Sequence, residues 1–324
     1  MGSESQRKQK ETKRTVYFAL VANLVIAIAK AVGGAVSGSA AMLAEAAHSL
    51  ADTTNQVFLR ISLSRAERGS DEQHPFGYGQ ERFFWAFLAA VFIFVAGALF
   101  SIFEGVERLI KPPKESGIAI PLVVLGVALV AETISLVRAI RETRSQAADA
   151  GLPMRDFVPK SRDPTAKTVV FEDTAAVIGI VLAIVGVTLD HVLGTHVFDG
   201  AASIAIGVLL AVVAFLLGRD VKGLLIGEAA RPEERERLCE VLDGHEGVDE
   251  VVELLTMAIG PNALLVAARL DLSDGLDSAQ VEELATELDR ALREVVPEVR
   301  EVFLDPTSRS DGEGVGSTFR ERVS

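Results

Sequence analysis

Residues 40–63, AAMLAEAAHSLADTTNQVFLRISL, are apolar and numerous enough to cross a bilayer, yet they carry His48 and Asp52 four residues apart. Holding a titratable pair at that depth is costly, so such a pair marks a functional site by default. On a helix, i, i+4 spacing puts both side chains on one face, one turn apart. An imidazole and a carboxylate so placed offer two ligands to one divalent cation, and both must lose their protons first. The stretch therefore reads as a membrane helix that couples metal to protons.

The rest of the chain agrees with that setting. Its 324 residues are 49% hydrophobic with mean hydropathy +0.32, too apolar for an ordinary soluble protein. Six segments can span, namely 15–36, 39–64, 82–110, 118–138, 164–189 and 198–217. A bilayer core of about 30 Å needs roughly 20 helical residues, which each approaches or exceeds. The expected fold is an all-α bundle of six transmembrane helices followed by a small α+β domain. Residues 1–14 form an N-terminal tail, 15–220 the transmembrane domain, 221–308 the α+β domain and 309–324 a disordered tail rich in Gly, Ser and charge.

Charge fixes the expected orientation. The N-terminus (Arg7, Lys8, Lys10, Lys13, Arg14), the loop after the second span (Arg65, Arg68) and the loop after the fourth (Arg138, Arg141, Arg144, Arg155, Lys160, Arg162) are basic. Basic loops stay inside, so both termini are expected in the cytoplasm, with Lys111 and Lys114 a mild exception. The polar start lacks the apolar core and cleavage site of a secretory signal, so the first span is expected to be retained, and the cell's inner membrane is the expected location. The net charge of −13 sits in the C-terminal part, where 228–324 hold 24 acidic against 10 basic residues. That balance excludes nucleic acid as a partner. The single cysteine, Cys239, excludes an internal disulfide and a CxxC zinc site.

Within the acidic part, 233–243 reads as a helix, 248–257 and 263–270 as strands around the Gly260-Pro261-Asn262 turn, and 299–304 as a third strand. Val281, Leu284, Leu288, Leu292 and Val295 keep helical spacing behind the start signal Asp277-Ser278. The order is α-β-β-α-β, of ferredoxin-like type.

Depth along the helices can be compared from rise alone. His48 lies nine residues from Ser39, and Asp173 nine residues from Pro164, which with Asp163 opens the fifth span. Each is then about 13 Å deep from opposite sides, so the two meet near the midplane of one bilayer. Glu172 points roughly 100° away from Asp173 and needs rotation or a long reach to join the same ion. Glu45, Glu132 and Asn23 also fall in the spans. Each is open as a further ligand, a proton carrier or a partner that orients His48, and the sequence does not choose among them. Lys30 is expected to snorkel or to pair with Glu104.

The run Gly38-Ser39-Ala40-Ala41-Met42-Leu43-Ala44-Glu45-Ala46-Ala47-His48-Ser49-Leu50-Ala51-Asp52, the stretch His74-Pro75-Phe76-Gly77-Tyr78-Gly79-Gln80-Glu81 and the spans with their α-β-β-α-β domain together resemble the cation diffusion facilitator family of metal transporters. The Phe171-Glu172-Asp173-Thr174-Ala175-Ala176 segment is similar to the zinc transporter 9 branch. The resemblance implies a homodimer that moves a divalent metal, zinc first, out of the cytosol against inward proton flow, with no resident cofactor. It also implies a tetrahedral transport site in which His48, Asp52 and Asp173 hold three of four positions. Val169 stands at the fourth and cannot ligate, so Glu172 or a water is expected there. A loop metal at Asp71 and His74 is implied only in part, because Tyr78 replaces a second His. In the C-terminal domain the family's zinc ligands read as Ala268 and Phe303, with Asp305 kept and His245 a surface helix-end residue. Domain dimerisation is therefore expected to rest on apolar packing.

Three alternatives accompany that reading. Manganese or iron suits an oxygen-rich ligand set, and an incomplete site suits a membrane sensor or scaffold that binds metal without transport. A metalloenzyme built on His48 and Asp52 lacks HExxH, a nucleophile elbow and a second intramembrane His.

Overall fold

A computed structural model of the chain describes residues 21, 23–66, 68–111, 117–149, 151–160 and 164–307. The N-terminal tail, the start of the first expected span, Lys114, Asp163 and the 309–324 tail lie outside the described residues. The chain divides into two compact units, Met1–Ser64 with Phe83–Lys222 and Arg65–Arg82 with Gly223–Ser324.

The first unit is helical: α1 (Asn23–Ser37), α2 (Ala40–Ala66), α3 (Glu81–Ile110), α4 (Ala119–Asp149), α5 (Met154–Lys160), α6 (Pro164–Leu193) and α7 (Val197–Leu225). Among the described residues, α3, α4, α6 from Thr168 and α7 are long and apolar enough to cross a membrane by themselves. Against the six expected spans, α1 is apolar but shorter over its described residues. The 27 residues of α2 suffice in length, but they carry Glu45, His48, Asp52, Asn55 and Arg60.

Burial along α2 explains how those groups are tolerated. Glu45, His48, Ser49 and Asn55 face inward, while Val123, Val127 and Val130 of α4 and Val208, Val212 and Phe215 of α7 face outward. Apolar residues outside and polar residues inside is the arrangement hydrocarbon requires. The core between α2, α6 and α7 uses Ala41, Ala44, Ala51, Ala183, Ile206 and Leu210, small enough in part to bring backbones close.

Local signals set the helix ends. Gly38 turns the chain at φ +67°, a conformation costly for other residues, and Ser39 Oγ then accepts the Met42 N–H at 3.1 Å as the cap of α2. Pro164 opens α6, where its fixed φ is favourable and its missing N–H costs nothing. Within α3, residues Ile93–Leu99 form a π-helical stretch, and Ser101 Oγ returns a bond to the Gly97 carbonyl at 2.7 Å.

The second unit orders α8 (Pro232–Asp243), β1 (Val248–Gly260), β2 (Ala263–Leu272), α9 (Ser278–Val295) and β3 (Val299–Pro306). Its three-stranded sheet runs β1-β2-β3, with β1 and β2 antiparallel and β2 and β3 parallel. A parallel neighbour needs a crossover, which α9 supplies. All three strands outrun their expected ends, because ladder bonds continue to the Pro261-Asn262 turn and to Pro306. Leu238, Leu242, Leu254, Leu264, Leu288 and Leu292 fill the core between helices and sheet. At the start of α9, Asp277 accepts the Gln280 N–H and the Gln280 side chain accepts the Asp277 N–H, both at 2.9 Å.

Candidate metal centre

Glu45, His48, Asp52 and Asn55 follow one another at helical spacing, so they form one stripe along α2. His48 is 1% exposed, and its Nε2 stands 3.6 Å from Asp52 Oδ2. Neither ring nitrogen of His48 has a hydrogen-bond partner among the described residues, and nor does Asp52 Oδ1, although all are buried. Buried polar atoms are normally satisfied, so three orphaned ones in a single turn indicate a place built for something else to bind.

Across from this stripe lies α6. Gly179 sits against Glu45 Oε1 so closely that any Cβ there would collide, which is how α6 approaches α2. About two helical turns earlier, Glu172 is buried and its two carboxylate oxygens accept from Asn55 Nδ2 at 2.8 and 2.6 Å. The His48 ring comes against the Glu172 backbone, and the Asp52 and Glu172 carboxylates interact electrostatically. Asp173 turns to α4 instead, where its Oδ2 accepts the Ser135 hydroxyl at 2.9 Å. It still feels the charges of Asp52 and Glu132.

The two side chains diverge as expected, but it is Glu172 rather than Asp173 that faces α2. The 100° between neighbours on a helix aims Glu172 at α2 and Asp173 at α4. Val169, one turn before Asp173, is half-buried and apolar. Among the described residues, no group of three or more His, Cys, Asp and Glu side chains is gathered closely enough to hold a metal ion. The candidate ligands therefore stand in pairs and neighbours around the α2–α6 seam rather than as a closed cage.

Lys30 also departs from expectation. It is fully buried, donates to Glu45 Oε2 at 3.1 Å and to Ser49 Oγ at 2.8 Å, and neither snorkels nor pairs with Glu104. A lysine inside the bundle requires a counter-charge, and Glu45, offered by the stripe of α2, is within reach. Glu132 is half-buried on α4 and lies within electrostatic range of Glu45, His48, Asp52 and Asp173. Asn23 is half-buried near the start of the described part of α1.

A second polar network escaped the sequence reading. Asp199, at the start of α7, accepts the Ser39 hydroxyl at 2.6 Å and the Ala40 and Ala41 N–H groups at 2.7 and 3.3 Å. It therefore caps α2 from another helix, and Arg108 Nε of α3 lies 3.2 Å from it. Asp199, Ser39 and Arg108 line, with Asp190, His191, Thr195 and His196, a polar cleft of about 280 Å³. The signal was a lone acidic residue at the start of the sixth expected span, 198–217.

The loop pair Asp71 and His74 lies in the second unit. Asp71 Oδ1 accepts the Gln73 and His74 N–H groups at 3.0 and 2.8 Å, and Oδ2 accepts the Tyr78 hydroxyl at 2.6 Å. The Tyr78 hydroxyl, then the loop amides, hold the Asp71 carboxyl below the usual carboxylate range, while the same bond raises the Tyr78 phenol. In the C-terminal domain Ala268 is buried, Phe303 is largely exposed, Asp305 pairs with Arg269 at 3.3 Å, and His245 lies 3.5 Å from Glu287.

This geometry accompanies a match to the family model described as the cation efflux transmembrane domain, over residues 16–226. The chain belongs to the cation diffusion facilitator family. Within it, the chain is 32% identical over 260 residues to metal tolerance protein C4 of Arabidopsis thaliana, covering 80% of this chain and 57% of that protein. It is 31% identical over 273 residues to the human protein named proton-coupled zinc antiporter SLC30A9, mitochondrial, covering 83% and 48%. The bacterial cation-efflux pump FieF of Klebsiella pneumoniae is 26% identical over 264 residues, covering 79% of each chain. These likenesses set this facilitator in the zinc transporter 9-like branch. The chain spans about half the length of the first two of these relatives.

Proposed function

We propose that the chain exports a divalent metal cation, zinc first, in exchange for protons, by alternating access about the α2–α6 seam. The observation that carries this is the buried His48–Asp52 pair, whose orphaned nitrogens and oxygen stand beside Glu172 of a second helix. Imidazole with carboxylates suits zinc, and every such ligand binds protons and metal competitively, so exchange needs no separate coupling device. His48 and Asp52 contribute from α2, Glu172 and Asp173 from α6, and Glu132 stands near as a proton carrier. In this reading α1 and α2 count with the four apolar helices as six spans, both termini are cytoplasmic, and the membrane is the cell's inner membrane.

The α+β domain, of ferredoxin-like type, is the dimerisation domain. Leu255, Ala267 and Phe303 lie in one row across its sheet, and Leu255 and Phe303 are exposed. Apolar packing of that row between two copies needs no metal, so a chelator leaves the detergent-purified dimer intact by light scattering; dissociation to monomers would refute it. A sensor that binds without transport is the second reading, favoured by Val169 and by the open arrangement of the ligands. Zinc added to proteoliposomes containing a pH dye separates the two. Transport predicts proton movement that Asp52→Ala abolishes, whereas the sensor gives none with either protein.

A further inference from the structure

Asn55 is the neighbour of the candidate centre that no ligand role accounts for. It lies one turn beyond Asp52 on the buried face of α2, is 8% exposed, and spends its amide nitrogen on both oxygens of Glu172. A short bifurcated contact from one amide nitrogen to both oxygens holds the carboxylate against α2. A lysine or arginine could hold Glu172 as well, but would set a positive charge beside a cation site. A neutral amide holds it without that repulsion. The nearby buried cation, Lys30, is matched to Glu45 rather than to Glu172.

We propose that Asn55 is a positioning residue for the cargo cation and sets which cation is accepted. By holding Glu172 against α2, it presents beside Asp52 the carboxylate that Val169 cannot supply. This rests on the transport-site reading of His48 and Asp52. A fixed carboxylate favours a small, four-coordinate ion such as zinc. Released from Asn55, Glu172 is free to swing or to bind through both oxygens, which suits the larger and more oxygen-rich shell of manganese.

The test is a double-mutant cycle on the full-length, purified protein, reading equilibrium binding of zinc alone and of manganese alone. Loss of a residue that orients a metal ligand typically weakens binding about 10- to 100-fold. Asn55→Ala and Glu172→Gln should each weaken zinc at least about tenfold, and the double variant should be no weaker than Glu172→Gln. Manganese should change less, so the zinc-to-manganese preference narrows. Asn55→Ser, which keeps a donor in a smaller side chain, should recover part of the zinc affinity and serves if the alanine variant does not fold. Asn55 variants within twofold of the parent, an unchanged zinc-to-manganese ratio, or losses that simply add would overturn the proposal. His48→Ala and Asp52→Ala are run alongside. If they lose zinc while Asn55 and Glu172 variants keep it, the transport site stands and the role of Asn55 falls; if they keep zinc, the site reading itself falls.

Discussion

Two His–Asp pairs in this chain are nearly identical in separation and opposite in circumstance. His48 and Asp52 stand 3.6 Å apart, His74 and Asp71 3.5 Å apart. The first pair is buried and leaves both imidazole nitrogens and a carboxylate oxygen unpartnered among the described residues. The second is about half exposed, and its carboxylate accepts from two backbone amides and the Tyr78 hydroxyl. A pair whose lone pairs are buried and unspent has more to offer a metal than one whose carboxylate already accepts three hydrogen bonds.

The largest effect that would break this contrast is on transport. His48→Ala or Asp52→Ala should abolish zinc-driven proton movement in liposomes with the protein still folded, while His74→Ala should change it less than twofold. Equal losses at both pairs would erase the distinction.

Next comes stability beside the buried pair. Lys30→Met leaves Glu45 buried without its cation and should cost about 3–5 kcal/mol, because an uncompensated buried charge is worse than none. Lys30→Met with Glu45→Leu should recover most of that loss, read as the thermal unfolding midpoint in detergent. A double variant no better than Lys30→Met would show that the ion pair is not what the substitution disturbs.

How far the pattern of residues alone foretold these pairs depends on what each needed. Periodicity put Glu45, His48, Asp52 and Asn55 on one face of α2, since a 3.6-residue repeat carries that information. Azimuth was harder. Whether Glu172 or Asp173 faces α2 depends on how α6 rotates against its neighbours, and only the Asn55 and Ser135 bonds reveal it. Lys30 pairs with Glu45 instead of Glu104, and the role of Asp199 went unread, for the same reason: partners 15 and about 160 residues away depend on helix packing. In the α+β domain the Asp277 cap and the α9 stripe were legible as local signals, whereas the strand ends depended on ladder partners in other strands.

A smaller effect sharpens the loop side of the comparison. Asp71 titrates below its ordinary value in the folded loop, so its contribution to loop order is present at neutral pH and fades as pH falls through that lowered value. Tyr78→Phe removes the leading cause and should move the fading to higher pH, read as carboxyl carbon NMR titration of Asp71. An unmoved titration would show that the phenol is not the cause. Smallest of all, Asp277→Ala should cost about 1 kcal/mol at the start of α9, read by amide exchange of its first turn; unaltered exchange would argue against the cap.

The claim on which the rest depends is that one cation binds between α2 and α6 through the imidazole of His48 and carboxylates from both helices. Zinc-edge X-ray absorption on the full-length protein loaded with one equivalent tests it directly. The expected spectrum shows one imidazole nitrogen with oxygen neighbours, and His48→Ala removes the imidazole signature. An imidazole signature that persists in His48→Ala, or a shell without nitrogen in the parent protein, would contradict it.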